Sequence, residues 1–409
     1  MGTEIRELKQ SDWAVWFATL ERAFGGVPEP PEEHALRNAL TELDRSLGIW
    51  DGADCVGTSV VNSFRVTVPG AAAVPAGGLT MVSVAATHRR RGLLTGMIRR
   101  QLADMRSRGE PLAVLYASEP AIYGRFGFGL ATREISLSID THRVRPAVPE
   151  GTDGVRLQYA APADVLDECE ALYARLAAER PGMLVRMPGW ERLPLLDPPA
   201  ARQGASPLQC VLAEREGEPL GYVRFRHRPE SDEKGPKGAL EVRDLDAVEP
   251  AAYAALWRFL FDVDLTSWVR ARSRPVDDAV LHLVSDVRRC SPRLRDALYL
   301  RLVDVAGALR TRAYRAPVDV VLAVDDPFCP WNEGRLRLSG DTGGAVCEPT
   351  RDPADLALSA RDLGSAYLGG LSLTELAAAG RVVELRPGAL ARASLAFGSD
   401  VAPWAAHDF

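Results

Sequence analysis

The chain has 409 residues, 46% hydrophobic and 25% charged, an ordinary balance for a folded protein and enough length for two or three domains. A formal net charge of −6 excludes nucleic acid as the expected partner and suits a cationic substrate steered into a negative cleft. The cysteines Cys55, Cys169, Cys210, Cys290, Cys329 and Cys347 form neither a C-x-x-C pair nor a histidine-spaced set, which excludes a zinc site and a disulfide framework, and no metal is expected.

In chain order, residues 5–8 read as a short opening strand. No apolar stretch follows the N-terminus and no apolar run is long enough to span a bilayer, so a cytoplasmic protein with no membrane partner is expected. Trp13, Trp16, Phe17, Leu20 and Phe24 have helical spacing behind Asp12, a good N-cap, and Gly25-Gly26 ends that helix. A second helix is predicted over 32–43, then strands over 46–50 and 54–68 joined at Asp51-Gly52. The Pro/Gly/Ala-rich 69–78 reads as a loop. It is followed by a strand (79–84), a helix (92–108), a buried strand (112–117), a short helix (120–126) and a last strand (135–139). This is one mixed α/β domain, and residues 141–153 read as its linker.

A second unit opens at 155–157. Its helix (163–180), strands (208–214, 219–226, 239–245) and helix (250–261) echo the first order, suggesting a degenerate internal duplication. A third begins near Leu294, with 300–304, a helix over 305–312, strands over 318–324 and 334–338, and short helices over 359–367 and 373–379. The predicted domains are 1–145, 155–287 and 290–409.

Chemistry concentrates in the run from Met81 to Thr95. The apolar strand Val82-Ser83-Val84 runs into Arg89-Arg90-Arg91, then Gly92, then an amphipathic helix starting Leu93, Leu94, Thr95. Unpaired N–H groups and the dipole at a helix start favour an anion, and glycine lets the backbone come close to it, so the turn suits a pyrophosphate. A basic surface turn capping an ordinary helix is the plainer alternative. Tyr123, before a glycine-rich turn, reads by itself as a packing residue. Trp13, Phe24 and Trp50 read either as core aromatics or as walls for a cation.

Arg89-Arg90-Arg91-Gly92-Leu93-Leu94 resembles the acyl-CoA signature of the GNAT superfamily of N-acetyltransferases, with Leu94 where a small residue is usual. Together with the segment Ala117 to Gly129, Arg180-Pro181-Gly182, residues 296–305, Ser365 to Gly370 and the ending at Phe409, it resembles the Eis (enhanced intracellular survival) family over the whole chain.

The resemblance implies an α/β (α+β) fold: tandem acetyltransferase-type domains plus a C-terminal sterol-carrier-like domain. It implies acetyl transfer from acetyl-CoA, without a metal, to primary amines of aminoglycosides, polyamines or protein lysines, in a homohexamer. Val82, Ser83 and Val84, in a bulged strand, would hold the pantetheine arm. Arg89, Arg90, Arg91, Gly92, Leu93, Leu94 and Thr95 would hold the pyrophosphate, and Ser118 and Glu119 the opposite wall. Tyr123 would be the general acid, and the terminal carboxylate of Phe409 the general base, with His407 and Asp408 as rival bases. Trp13 and Phe24 would contact the acceptor, with Glu29, Glu32 and Glu33 as acidic contributors. The alternative function is a non-catalytic acyl-CoA sensor or lipid-binding protein.

Overall fold

The structure, a computed structural model, describes residues 2–233 and 235–409. Two compact units result. One holds residues up to Thr132, Arg180–Val185 and Ala297–Phe409; the other holds Arg133–Glu179 and Arg186–Asp296.

The first unit is built on β1 (Glu4–Glu7), α1 (Trp13–Ala23), α2 (Pro31–Leu40), β2 (Leu47–Asp51), β3 (Asp54–Thr67), β4 (Ala73–Val84), α3 (Leu93–Ser107), β5 (Leu112–Tyr116), α4 (Pro120–Tyr123) and β6 (Gly129–Leu130). Its sheet runs β1, β2, β3, β4, β5, the strand Leu298–Leu302, then β6, and Leu184–Val185 adds to β3. Only β4 and β5 are parallel along this path. Helices cover both faces, so β3 is buried along almost its whole length. Side chains alternate across the pleat: Val60 packs with Trp13, Trp16 and Phe17 of α1, and Val61 with Ile98 and Met105 of α3.

Three local expectations change. Asp12 precedes α1 without capping it; its carboxylate takes a 2.5 Å hydrogen bond from Arg6 of β1. A charge-assisted bond replaces the weaker contact to a backbone amide. The loop predicted over 69–78 is short, because β4 begins at Ala73 and pairs with β3 from Thr67↔Ala73 onward. The small residues there have poor strand propensity, but tertiary packing overrides it. A Cβ on Gly77 would come within 2.7 Å of Met105, and one on Gly78 within 2.4 Å of Phe64.

The third change concerns two strands. Arg133–Asp140 (β7), which contains the 135–139 strand expected to close the first domain, belongs to the second unit's sheet, while Leu298–Leu302, which overlaps the 300–304 run expected to open the third, lies between β5 and β6. Apolar periodicity marks both as strands but carries no information on which sheet receives them.

The second unit's sheet runs Arg293–Asp296, β7, Thr266–Pro275, Gly238–Ala247, Glu218–Arg228, Gln209–Arg215, Arg156–Ala160. Its one parallel pair is Gly238–Ala247 with Thr266–Pro275, at the place that β4 and β5 occupy in the first sheet. The two sheets share order and sense, as the duplication predicts. Residues 141–153 are tied into this unit, with the Thr141 N–H donating to Ser267 O at 3.0 Å and the Ala147 N–H to Leu283 O at 2.6 Å.

The C-terminal part of the first unit has a five-stranded sheet: Gly344–Pro349, Gly334–Asp341, Val318–Asp325, Leu356–Ser359, Val382–Glu384. Its interior holds Arg312, whose guanidinium donates to the carbonyls of Tyr367 and Phe397. Among the described residues no helix is long and apolar enough to cross a membrane.

Candidate active site

The site starts from a defect in β4. Opposite β3 the register steps from Thr58↔Ser83 to Val60↔Thr80, so Met81 and Val82 share the place facing Ser59, and Met81 takes φ 51°. This is the bulge expected in that strand, and it leaves backbone groups off the ladder. Thr58 pins it, its hydroxyl bonding Met81 O and the Ser83 hydroxyl at 2.7 Å each.

On the other side β4 pairs with β5 only from Ala76↔Leu112 to Gly78↔Val114. Beyond that point Leu115 and Tyr116 keep their partners Tyr299 and Leu298 on the other edge of β5 but have none in β4. Past Gly78, β4 therefore parts from β5, and its backbone edge faces a cleft.

Arg90 (φ 62°) and Gly92 (φ 77°) turn the chain from β4 into α3. The first helical bond runs from the Gly96 N–H to Gly92 O at 3.0 Å, so the amides of Leu93, Leu94 and Thr95 precede the helical ladder. Arg89 and Arg90 are exposed beside them, while Arg91 folds back to Thr87 O at 3.1 Å.

Tyr123 ends α4 on the opposite wall and packs edge-on against Phe128, ring centroids 6.1 Å apart. Burial, helped by the nearby Glu119 charge, pushes its phenol up to about 12, so it keeps its proton at neutral pH.

The chain end is docked. The Trp404 N–H donates to Pro181 O at 2.9 Å, and Arg180 Nε donates to Ala402 O at 3.0 Å. Gly182 (φ 92°) lies against the Trp404 backbone, where a Cβ would come within 2.9 Å of its oxygen. The Phe409 ring packs against Phe64 and Tyr116 at 4.8 and 5.6 Å. Thr80 Oγ1 donates to the Phe409 main-chain oxygen at 2.9 Å.

These parts line one cavity of about 1010 Å³. The structure brings together Val82, Ser83, Val84, Arg89, Arg90, Gly92, Leu93, Leu94, Thr95, Ser118, Glu119, Tyr123, Phe24 and Phe409, with Asp408 and Glu29. Arg91 is not among the lining residues.

Trp13 is a correction. At 4% exposure it packs with Trp16 and Phe17 and donates its indole N–H to His34 at 3.1 Å, away from the lining. It heads the apolar face of α1, and that face is spent on the core. Trp50 is likewise buried, under the Arg6 guanidinium at 4.1 Å. Phe24, one turn past the buried stripe, is 59% exposed and free to line the mouth.

Thr80, Tyr116 and Arg37 line the cavity without having been singled out in the sequence. Tyr116 Oη donates to His407 O at 3.1 Å, a contact across 291 positions that no local pattern encodes. Arg37 pairs with Glu29 at 2.9 Å and Glu33 at 2.8 Å, and desolvation still pushes the Glu29 carboxyl upward.

The second unit repeats the bulge between Arg224↔Asp244 and Phe225↔Val242 but not the phosphate turn. Only Val248 and Glu249 separate Gly238–Ala247 from the helix Pro250–Asp262. Buried Arg274 donates to Leu245 O at 2.8 Å and to Asp278 at 2.6 Å, and Tyr253 also bonds Asp278. Side chains thus hold the strand edge that stays open in the first unit.

Comparison with known proteins agrees with this geometry. Residues 4–131 and 182–302 each match a family described as an acetyltransferase (GNAT) domain, and 305–406 match a sterol carrier protein domain. An uncharacterized N-acetyltransferase of Streptomyces avermitilis is 65% identical over 409 residues, all of both chains. N-acetyltransferase Eis of Mycobacterium tuberculosis is 35% identical over 415 residues, 98% of each chain. The crystal structure of Eis1 from Mycobacterium abscessus superposes with a TM-score of 0.85 at 35% identity, over 100% of both chains. The fold is thus two GNAT domains followed by a sterol-carrier-like domain, and the chain belongs to the Eis family of acyl-CoA-dependent N-acetyltransferases.

Proposed function

We propose that the chain moves acetyl from acetyl-CoA to primary amines of small polycationic acceptors of the aminoglycoside type, at one or several positions, or to lysine side chains. The observation that carries this reading is one cavity lined by a bulged strand edge, an arginine–glycine turn, a protonated phenol and Phe409. Acetyl-CoA supplies the thioester. The amides at the start of α3, with Arg89 and Arg90, bind its pyrophosphate, and the edge of β4 aligns the pantetheine arm. Glu29 and Glu21, at the mouth with Phe24, attract an ammonium group.

The Phe409 carboxylate takes a proton from the acceptor amine. A terminal carboxyl has an ordinary pKa of about 3.3–3.7, a weak base for an ammonium near 10, so desolvation of the bound amine helps by disfavouring the ammonium. Amides of the bulged edge face the developing oxyanion. Tyr123 Oη donates a hydrogen bond to the leaving sulfur, and its proton shifts toward sulfur as the C–S bond breaks. The arginine–glycine turn and the open strand edge occur in the first unit and not in the second, which supports the first as the catalytic one. By the same family likeness we infer a cytoplasmic homohexamer.

The test is release of free thiol from acetyl-CoA against a panel of aminoglycosides, polyamines and lysine peptides. Turnover with the polycationic amines is expected; acetyl-CoA binding with no thiol released by any amine would instead indicate a sensor. Replacing Arg89 and Arg90 together by Ala raises the KM for acetyl-CoA about tenfold and leaves kcat within about twofold, because these charges hold donor and transition state alike.

A further inference from the structure

We propose that Arg301 is a positioning residue for acetyl transfer, holding the turn that follows Tyr123 and so fixing where the phenol sits. The proposal rests on the reading of Tyr123 as the acid.

Tyr123 ends a helix of four residues, too short to keep its own geometry. Its position comes from what holds the next five. Within this turn the Gly127 N–H donates to Gly124 O at 3.1 Å and the Phe128 N–H to Tyr123 O at 3.3 Å. Arg301, on the strand Leu298–Leu302, donates Nη1 to Phe126 O from beneath. Gly127 has φ 82°, and a Cβ there would fall 1.5 Å from Arg301 Nη1, so turn and guanidinium meet without a gap.

The guanidinium is itself held. Both Arg301 and Asp326 are buried, and Nη2 donates to the two Asp326 oxygens at 2.8 and 2.6 Å. Asp326 also accepts from the Cys329 N–H at 3.1 Å and from Asn332 Nδ2 at 2.9 Å. A buried ion pair is seldom a better source of stability than apolar side chains of equal volume. A planar fork that spans a carboxylate and a carbonyl does supply orientation, which neither an apolar residue nor a lysine can. The C-terminal domain thereby reaches the site a second way: Asp326 follows its strand Val318–Asp325.

The experiment is a four-cornered comparison of kcat and KM in the full chain: wild type, Arg301→Lys, Tyr123→Phe and the double variant. Lysine keeps a charge opposite Asp326 but loses the fork. With the acid displaced, Arg301→Lys is expected to lower kcat about tenfold or more with the KM for acetyl-CoA within about twofold. In the Tyr123→Phe background the same change is expected to add less than about twofold, since nothing is left to position. Wild-type kcat in Arg301→Lys, or a double variant whose loss is the product of the single losses, overturns the proposal. A fully active Tyr123→Phe overturns the acid assignment itself, a distinct result. If Arg301→Lys fails to fold, Arg301→Met with Asp326→Leu, which removes both buried charges, takes its place, and the same outcomes decide.

Discussion

Tyr123→Phe lowers kcat by about 10²- to 10⁴-fold while the KM for acetyl-CoA stays within about threefold. The variant removes one oxygen from a ring that packs on Phe128 and lines the cavity, so donor binding and fold persist. What disappears is the hydrogen bond to sulfur, an interaction that strengthens only as the C–S bond breaks. The phenol sits at about 12, above an ordinary thiol near 8.5, so outright proton transfer to a thiolate is uphill. Donation is accordingly tied to collapse of the tetrahedral adduct. The sign of the shift gives a second reading of the same role. The acid form persists as pH rises, so the wild-type kcat shows no fall from loss of the Tyr123 proton at pH 10, where an unshifted phenol would be half ionised. Steady-state thiol release from pH 6 to 10 checks both. A wild-type kcat in Tyr123→Phe would remove the acid from the mechanism.

Lengthening the chain past Phe409 produces the second large loss, about 10²-fold or more in kcat, with acetyl-CoA affinity retained by calorimetry. An added residue converts the terminal carboxylate into a neutral amide. It also forces new atoms into the space where Thr80 Oγ1 meets the Phe409 main-chain oxygen at 2.9 Å. Removing Phe409 instead moves the carboxylate back one Cα step, about 3.8 Å, and discards the ring that sits against Phe64 and Tyr116. Both variants are expected to fail, since one keeps the ring without the charge and the other the charge without the ring. Full activity in the extended chain would assign the base to another group on the cavity wall, Asp408 being the nearest in sequence.

The donor half of the site was legible because it is local. The run from Val82 to Thr95 is continuous, and each part of it does its work within a few residues: the strand edge, the turn at Gly92, the free amides of α3. The amphipathic helices were legible for the same reason. What escaped is whatever depends on distant residues. The early start of β4 needed the β3 ladder, the burial of Trp13 needed the rest of the core, and Arg301 needed Phe126 and Asp326, 175 and 25 positions away. The destination of β7 and of Leu298–Leu302 escaped because an apolar alternation says that a strand exists and leaves its neighbours unspecified.

That exchange of strands bears on how the protein is made. When the ribosome has finished β6, the first sheet still lacks the strand that lies between β5 and β6, and that strand ends at Leu302. About 170 further residues have to be translated first, roughly 8–35 s at ordinary elongation rates of about 5–20 residues per second. During that interval the nascent β5 edge, with Leu115 and Tyr116, lacks the strand that pairs with it in the finished sheet, and an open strand edge is a template for aggregation. It also means that a gene fragment ending after residue 145 encodes a sheet with its sixth strand missing, however complete the acetyltransferase motifs within it look.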